Sequence, residues 1–371
     1  MPEPTELERR LIERIEREGR ITFRDFHQSA LYDSRLGYYN TERLKIGPSG
    51  DFYTSSNVHK AFGAVLARSF VTLWNNLCSQ SYADLTPQSA FTVVEIGAGT
   101  GQLAFDIMTS LRETEGFAFG SLSYVIIEAS PAMRRLQREK LSEFNERVEW
   151  KTIEEIGGKS INGIVFSNEL IDAMPVHRVR LYQGRLQECY VALNEIGRLS
   201  FEWSQPSSSK FVQYIERMAV KLREGWTIEI NLDAIDWLQS LSRVIEKGYL
   251  VTIDYGDVAG HLYAHDRREG TLRSFSHHRL VDSLLDQVGE QDITASVNFT
   301  ALIEYGRDTG FEMASYERQS SFLFANGLLE IIAAMEYEDG SVEDMKERLA
   351  LKNLFAPGGV SDNFRVLIQR K

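Results

Sequence analysis

The sequence places one acidic side chain and three glycines at alternate positions, directly after a run of apolar residues. In the stretch TVVEIGAGTGQLAFDIM these residues are Glu95, Gly97, Gly99 and Gly101. Glycine allows backbone conformations that other residues avoid, and a ligand can approach its main chain because it has no Cβ. We therefore expect a ligand-binding turn between a buried strand and a helix.

The spacing of this turn differs from that of two common phosphate-binding loops. It matches neither the G-x-G-x-x-G turn of dinucleotide-binding folds nor the loop G-x-x-x-x-G-K-[ST]. A carboxylate at Glu95 would also repel a pyrophosphate, whereas it suits a ligand with a cationic amino-acid group. Glu128 ends the next predicted strand, where a carboxylate can accept hydrogen bonds from both ribose hydroxyls. These features favour S-adenosylmethionine; nicotinamide or flavin binding, and a turn that binds nothing, are the alternatives.

A second acidic pair follows the fourth predicted strand. Glu169 and Asp172 stand three residues apart in NELIDA, so a helical turn there would put both carboxylates on one face. Carboxylates can hold a guanidinium through paired hydrogen bonds, and either of them, or a histidine such as His177, could accept a proton. The alternatives are acidic residues that only favour a helix N-terminus and, for His177, a structural histidine.

Neither the histidines nor the cysteines have the spacing of a metal site. Four histidines lie between positions 261 and 278 without a motif such as H-E-x-x-H, so we expect a solvated or substrate-facing loop and no metal. The two cysteines, Cys78 and Cys189, are far apart and support neither a disulfide framework nor a zinc site. They are typical of a reducing compartment.

The elements that must position these residues alternate between strands and helices from residue 91 onward. Ser130 and Pro131 have the N-cap and first-turn positions of the helix PAMRRLQREKL. Buried strands alternating with amphipathic helices predict an α/β fold with a doubly wound, Rossmann-like sheet. The predicted core strands are FTVVEIG, SYVIIEAS, VEW, NGIVFSNEL and KGYLVTIDYG.

The chain beyond this core is predicted to supply a cap and an insertion. The run HRVRLYQGRLQECYVALNEIGRLSFEWS has the turns of a β-meander, and helices are predicted after it at 210–222 and 234–247. The predicted parts are an N-terminal helical region (1–88), the first half of the donor-binding core (89–180), an inserted substrate module (181–247), and the second half of the core with a substrate loop and the C-terminal strands EMASYERQS and NFRVLIQRK (248–371).

The composition is typical of a soluble globular protein and excludes two classes of partner. The 371 residues are 43% hydrophobic and carry a net charge of −12, which argues against a nucleic-acid surface because phosphate binding needs clustered Lys and Arg. No apolar run is long enough to span a membrane. The N-terminal helix is acidic and lacks the apolar core of a secretory signal. We expect a protein of the cytoplasm.

Several motifs together resemble the MidA family of S-adenosylmethionine-dependent methyltransferases. The resemblance implies a class I methyltransferase core, S-adenosyl-L-methionine as the cofactor, and a substrate cleft walled by the N-terminal helices and an inserted α+β module. Mitochondrial members are protein arginine methyltransferases that support assembly of a respiratory complex. The resemblance therefore implies methyl transfer by direct displacement to an arginine side chain of a protein substrate, with a respiratory complex subunit as one candidate acceptor. The motifs are LYDSRLGYYN, GPSGDFYTSSNVHKAFG, EIGAGTG, VIIEASPAMRRLQREKL, SNELIDAMPVHR, LVTIDYG, GTLRSF, QDITASVNFTAL and NFRVLIQRK.

Carried over by position, the resemblance gives this chain a set of site residues. Glu169, Asp172 and His177 are the catalytic candidates. The segment DITASVNF departs from the family pattern at Ser296 and Asn298, which leaves open a lysine or small-molecule acceptor, or a donor-binding assembly chaperone without turnover. The donor-binding candidates are Glu95, Gly97, Ala98, Gly99, Gly101, Glu128, Ala129 and Asn168, together with Asp51, Phe52 and Thr54 in the loop GDFYTSS.

Overall fold

The computed structural model describes residues 3–40, 59–79, 89–276, 279–281, 283–335, 342–356 and 360–371. Its helices are α1 (Glu6–Glu18), α2 (Phe23–Tyr32), α3 (Ala61–Ser79), α4 (Gln102–Thr114), α5 (Gly116–Gly120), α6 (Pro131–Lys140), α7 (Lys210–Arg217), α8 (Leu232–Val244), α9 (Ala259–Leu262), α10 (Phe299–Asp308), α11 (Gln319–Ala325), α12 (Leu328–Ala333) and α13 (Val342–Asn353).

Its strands are β1 (Ile21–Thr22), β2 (Phe91–Ile96), β3 (Leu122–Ile127), β4 (Val148–Lys151), β5 (Ile161–Asn168), β6 (His177–Tyr182), β7 (Arg185–Leu193), β8 (Leu199–Ser204), β9 (Thr227–Ile230), β10 (Ile245–Asp257), β11 (Arg273–Ser276), β12 (Arg279–Leu280), β13 (Asp292–Thr294), β14 (Val297–Asn298), β15 (Glu312–Arg318) and β16 (Phe364–Arg370).

A central sheet of eight strands carries the fold, in the order β15-β16-β10-β5-β2-β3-β4 with β14 beside the end of β10. The strands from β10 to β4 are parallel, and β16 is antiparallel to both of its neighbours. Successive residues of a strand face opposite sides of the sheet. Val93 packs in the cluster that contains α3 and α4, whereas Val94 packs with Leu238 and Leu241 of α8. Helices cover both faces, which confirms the predicted doubly wound α/β class.

A second, antiparallel sheet joins β1 to the strands of the insertion, in the order β1-β7-β6-β9, and β8 also pairs with β7. The predicted β-meander is confirmed as β6, β7 and β8. The predicted helix at 234–247 is too long: α8 ends at Val244, because Ile245 pairs with Ile161 of β5 and begins β10. The helix predicted at 210–222 likewise ends early, at Arg217.

The N-terminal segment is tied to the second sheet and to a third, three-stranded sheet of β12, β11 and β13. β1 pairs with β7 of the second sheet, which the sequence did not predict. Leu7, Leu11 and Ile15 of α1 are buried with Phe26 of α2, so the apolar stripe of this helix faces the interior. The imidazole Nε2 of His27 lies 2.8 Å from the carbonyl oxygen of Ile293 in β13. The division of the chain into four functional parts stays a prediction.

Candidate active site

A cavity of about 630 Å³ opens at the carboxyl ends of β2, β3 and β5. Ligands of open α/β sheets bind at this edge, where the turns after parallel strands meet. Gly101 is the N-cap of α4 and is not among the lining residues, although its neighbours Thr100 and Gln102 are. Asp51, Phe52 and Thr54 fall outside the described residues. The predicted site residues that line the cavity are Glu95, Gly97, Ala98, Gly99, Glu128, Ala129, Asn168, Glu169 and Asp172.

The glycine turn requires its glycines. Gly97, Gly99 and Gly101 have φ angles of 72°, 52° and 83°, all in the left-handed region, which side chains with a Cβ avoid. At Gly97 a Cβ would also lie 2.8 Å from Cδ1 of Leu170. The turn therefore presents bare main chain to the cavity.

Glu95 is buried below this turn rather than open at the strand end. It is 2% exposed, and its Oε2 accepts a hydrogen bond of 2.7 Å from the hydroxyl of Tyr124. Burial raises the pKa of Glu95 to about 7, and the hydrogen bond from Tyr124 opposes that rise. A cationic group in the cavity would favour the ionised form of this carboxyl.

The carboxyl group of Glu128 is held by a hydrogen bond at each oxygen. Its Oε1 accepts from the backbone N–H of Ser130 at 2.9 Å, and its Oε2 accepts from Nε2 of Gln137 at 3.0 Å. Burial raises the pKa of Glu128, whereas these two hydrogen bonds lower it. Ser130 is the N-cap of α6, as predicted, and its Oγ accepts from the backbone N–H of Met133.

The predicted helical turn between Glu169 and Asp172 does not form. Glu169 has a φ angle of 52°, and the chain continues as an irregular turn into β6. A carboxylate of β10 takes the place of helix hydrogen bonds: Oδ2 of Asp254 accepts from the backbone N–H groups of Ile171 at 2.9 Å and Asp172 at 3.3 Å. Both acidic side chains nevertheless line the same cavity.

Three buried carboxyl groups surround the end of this turn. Burial raises the pKa of Asp172 well above its usual value, and the neighbouring Asp254 and Asp292 add to the rise. Burial and the nearby Glu169 raise the pKa of Asp254 to about 8. Oδ1 of Asp172 is buried and has no hydrogen-bond partner among the described residues. A cation on this side of the cavity would favour the ionised forms of these carboxyl groups.

The structure places His177 away from these groups. Its Nδ1 lies 2.7 Å from Oε1 of Glu188, and its ring packs against Phe211 at 4.8 Å between centroids. It is not among the residues that line the cavity. These contacts are those of a structural histidine.

The structure describes two of the four clustered histidines, and neither is among the residues that line the cavity. Nδ1 of His261 lies 3.4 Å from a carboxylate oxygen of Asp257, and His265 packs edge-on against Trp226. In the part of the chain that the structure describes, no three His, Cys, Asp or Glu side chains form a cluster suited to a metal ion. His277 and His278 fall outside the described residues.

The tyrosines of LYDSRLGYYN line the same cavity. Tyr32 and Tyr39 stack with ring centroids 5.5 Å apart. The hydroxyl of Tyr32 donates to the carbonyl of Ala173 at 3.1 Å, and that of Tyr39 donates to Oδ1 of Asp292 at 2.9 Å. Tyr38 of the same motif is buried in the core with Leu7 and Phe26, so these rings both line the cavity and pack in the interior. Gln137, which donates a hydrogen bond to Glu128, was not predicted as a site residue. In the sequence, its position on the helix α6 indicates only that it is buried.

Comparison with known proteins places this geometry in context. A family model described as an S-adenosyl-L-methionine-dependent methyltransferase matches residues 65–317. The mitochondrial protein arginine methyltransferase NDUFAF7 of Danio rerio is 26% identical over 78% of this chain and 69% of its own length. Its homologue in Drosophila melanogaster is 25% identical over 76% of this chain and 65% of its own length. The chain thus spans about two thirds of these curated relatives.

A solved structure matches nearly the whole architecture. A protein from Burkholderia thailandensis bound to S-adenosyl-homocysteine has a TM-score of 0.88 and 25% identity, covering 100% of this chain and 95% of that chain. In the described ranges of the present chain, no helix combines the length and the apolar character needed to cross a bilayer.

Proposed function

Since the chain belongs to the MidA-like family of S-adenosyl-L-methionine-dependent methyltransferases, we propose that it methylates an arginine side chain of a protein. One observation carries this proposal: a single cavity joins a bare glycine turn and Glu128 to the buried carboxyl groups of Asp172 and Asp292. The first pair of features suits a nucleoside with an aminoacyl tail. The second suits a cationic acceptor.

The donor side of the cavity fits the cofactor of the family. Glu128 stands at the end of β3 with both oxygens oriented, which suits the two hydroxyls of a ribose. The left-handed turn at Gly97 leaves main chain accessible to an aminoacyl group, with Glu95 below it. When bound, S-adenosyl-L-methionine supplies a methyl group on a sulfonium sulfur. No phosphate is present in this ligand, in agreement with the acidic lining.

The acceptor side provides charge and shape for a guanidinium. Glu169 and Asp172 line the cavity together with Asp292, and paired hydrogen bonds from carboxylates hold a guanidinium in one plane. The stacked rings of Tyr32 and Tyr39 offer a flat wall on which such a plane can pack. Ionised carboxylates at this position keep one nitrogen directed at the donor side, which is the alignment that methyl transfer needs.

A proton must leave the attacking nitrogen for the charges to balance. Arginine enters and leaves as a monocation, so transfer of a methyl cation releases one proton. Asp172 is the proposed acceptor of that proton: the bound guanidinium favours its ionised form, its Oδ1 has no partner among the described residues, and its surroundings make the ionised carboxylate a strong base. His177 is not proposed for this role, since its ring contacts Glu188 and not the cavity.

Radiolabel transfer from the donor to matched peptides tests the proposal. The purified protein is incubated with labelled S-adenosyl-L-methionine and peptides that differ only in Arg, Lys or citrulline at one position, and mass spectrometry locates the label. We expect label on the arginine peptide alone. Label on lysine, or on a small molecule of a cell extract, would identify a different acceptor. Binding of S-adenosylhomocysteine without turnover of a whole-cell protein fraction would indicate a donor-binding assembly chaperone.

The acceptor protein and the compartment are separate predictions. The relatives that carry the name protein arginine methyltransferase are mitochondrial, and their names supply the precedent for a protein substrate. A respiratory complex subunit as acceptor and a cytoplasmic address are both predictions. Mass spectrometry of proteins labelled in a lysate tests the first, and fractionation of the source cell tests the second.

A further inference from the structure

Gln137 joins three parts of the donor side that are far apart in sequence. Its Nε2 donates to the carbonyl oxygen of Gly99 at 2.8 Å and to Oε2 of Glu128 at 3.0 Å, and its Oε1 accepts from Nε1 of Trp150 at 3.0 Å. The residue has no exposed surface. One carboxamide thus links the glycine turn, the end of β3 and strand β4.

These contacts leave the carboxamide only one orientation. An indole N–H is a donor and cannot accept a hydrogen bond, so Trp150 must face the oxygen of Gln137. Both protons of the amide nitrogen then point to Gly99 and Glu128. No alternative flip of the side chain satisfies all three partners.

The backbone of α6 also touches the glycine turn at this residue. A Cβ on Gly101 would lie 3.3 Å from Cα of Gln137, so helix and turn are in van der Waals contact where the carboxamide bonds to Gly99. Gln137 does not itself line the cavity, whereas Gly99 and Glu128 do. Any effect of Gln137 on a ligand must therefore act through these two residues.

We propose that Gln137 is a positioning residue for the methyl donor: it fixes the carboxylate of Glu128 and the carbonyl of Gly99 relative to each other, so that the ribose and aminoacyl subsites form as one unit. This inference rests on the proposed function. The residue does not line the cavity itself, and it affects donor binding mainly through its hydrogen bond to Glu128.

A double-mutant cycle with S-adenosylhomocysteine as the probe tests this role by calorimetry. Gln137→Met keeps the length of the side chain and removes the carboxamide, and we expect the Kd to rise about 10- to 100-fold, as for loss of a hydrogen bond to a charged group. In the Glu128→Ala background the same substitution should change the Kd far less, because the group it positions is absent. A merely structural role would give the same loss in both backgrounds and would overturn the proposal.

Arg138→Met is the matched control. This neighbouring residue is exposed on the same helix, and its guanidinium lies 4.5 Å from the ring centroid of Trp150. We expect its substitution to leave the Kd unchanged.

If Gln137→Met does not fold, the isosteric Gln137→Glu carries the test. Its carboxyl group can donate to Glu128 only when protonated, so the loss of affinity relative to wild type should be larger at about pH 8 than at about pH 5. A loss that is the same at both pH values would overturn the proposal. If the wild-type protein does not bind S-adenosylhomocysteine, the proposed function itself is refuted. If the wild-type protein binds it and Gln137→Met binds it with the same Kd, only the role of Gln137 is refuted.

Discussion

At the scale of single residues, the candidate acceptor site is a group of neighbouring carboxyl side chains, one of which holds the turn that carries another. Asp254 is fully buried, and its Oδ2 accepts backbone hydrogen bonds from Ile171 and Asp172 in the turn that follows β5. A buried carboxyl group costs free energy unless it is protonated or hydrogen-bonded. The high pKa values of Asp172 and Asp254 therefore describe a site in which binding of a cation is coupled to loss of protons.

The first prediction concerns Glu169. Glu169→Gln should lower kcat by about 10- to 1000-fold, because an amide cannot hold a guanidinium by charge-assisted hydrogen bonds. The Kd for S-adenosylhomocysteine should stay near the wild-type value, since Glu169 is assigned to the acceptor. Glu13→Gln, on the exposed face of α1, is the control. Collapse of donor binding in Glu169→Gln would show that this residue serves the donor instead.

The second prediction concerns the pH dependence of stability through Glu95. Its pKa is about 7 in the folded protein and near the usual value of 4.5 in the unfolded chain, so the folded state binds the proton more tightly. The contribution of Glu95 to stability is fully present below about pH 4.5 and is lost as the pH rises through 7. Glu95→Gln removes this titration, and the slope of unfolding free energy against pH should become flatter between about pH 4.5 and 7.

Urea denaturation at several pH values measures this slope. The change expected for one group shifted by this amount is about 3 kcal/mol across the window. Asp106 and Asp254 also have pKa values raised by burial, to about 6 and about 8. The comparison is therefore between the slopes of wild type and variant, and identical slopes would contradict the assignment of a raised pKa to Glu95.

At the scale of secondary-structure elements, the site exists because parallel strands end at one edge. β2, β3 and β5 are neighbours in the sheet, so Glu95, Glu128 and Asn168, which stand at or near their carboxyl ends, come together around one cavity. The strands could be predicted because each is an apolar run buried on both faces. The order of the strands in the sheet could not be predicted, because it depends on which face of the sheet each connecting helix covers.

The third prediction belongs to the turn between β2 and α4. Gly97→Ala should weaken binding of S-adenosylhomocysteine by about tenfold or more. The backbone at this position is left-handed, which strains an alanine, and the new Cβ would collide with the side chain of Leu170. Gly184→Ala is the matched control: φ is 69° at Gly184, and a Cβ would meet nothing within 4 Å.

Calorimetry and thermal unfolding separate the two contributions to this effect. Both substitutions carry the cost of a left-handed alanine, so both should lower Tm slightly. Only Gly97→Ala should change the Kd. Equal Kd values for Gly97→Ala and wild type would mean that the turn does not contact the donor.

The boundaries of elements were predicted less well than their types. The helical pattern of α8 continues to Lys247 in the sequence, yet the last residues belong to β10 because Ile245 is fully buried and pairs with β5. In the turn after Asn168, the spacing of Glu169 and Asp172 favours a helix, yet hydrogen bonds to Asp254 hold this segment in an irregular turn. In both cases a long-range partner decides the local conformation.

At the scale of the whole molecule, the N-terminal segment forms part of the lining of the cavity. Tyr39 contacts both ends of the site, since its hydroxyl donates to Asp292 and its carbonyl accepts from Oγ of Ser130. Arg24 of α2 pairs with Asp233 of α8 at 2.6 Å. The chain that precedes the core in sequence thus becomes a wall of the site, held by side chains of three separate regions.

The fourth prediction follows from the charge of the whole molecule. With a net charge of −12, the protein should attract a basic peptide electrostatically. Salt shortens the range of this attraction because it screens the charges. The value of kcat/KM for an arginine peptide should fall when salt rises from about 30 to about 300 mM, whereas the Kd for S-adenosylhomocysteine, which carries no net charge, should change little. A kcat/KM that does not depend on salt would mean that long-range attraction plays no part.

The sequence by itself determined the class of the fold, the glycine turn and the acids at the strand ends. These features depend on local chemistry: apolar periodicity selects strands and helices, and glycine adopts the left-handed backbone of the turn more readily than other residues. Tertiary structure alone decided that Asp254 holds the turn of Asp172, that Tyr39 reaches Asp292, and that Gln137 connects Gly99 to Glu128. Each of these hydrogen bonds joins residues whose separation in sequence carries no periodic signal, so only the packing of the complete chain brings them within bonding distance.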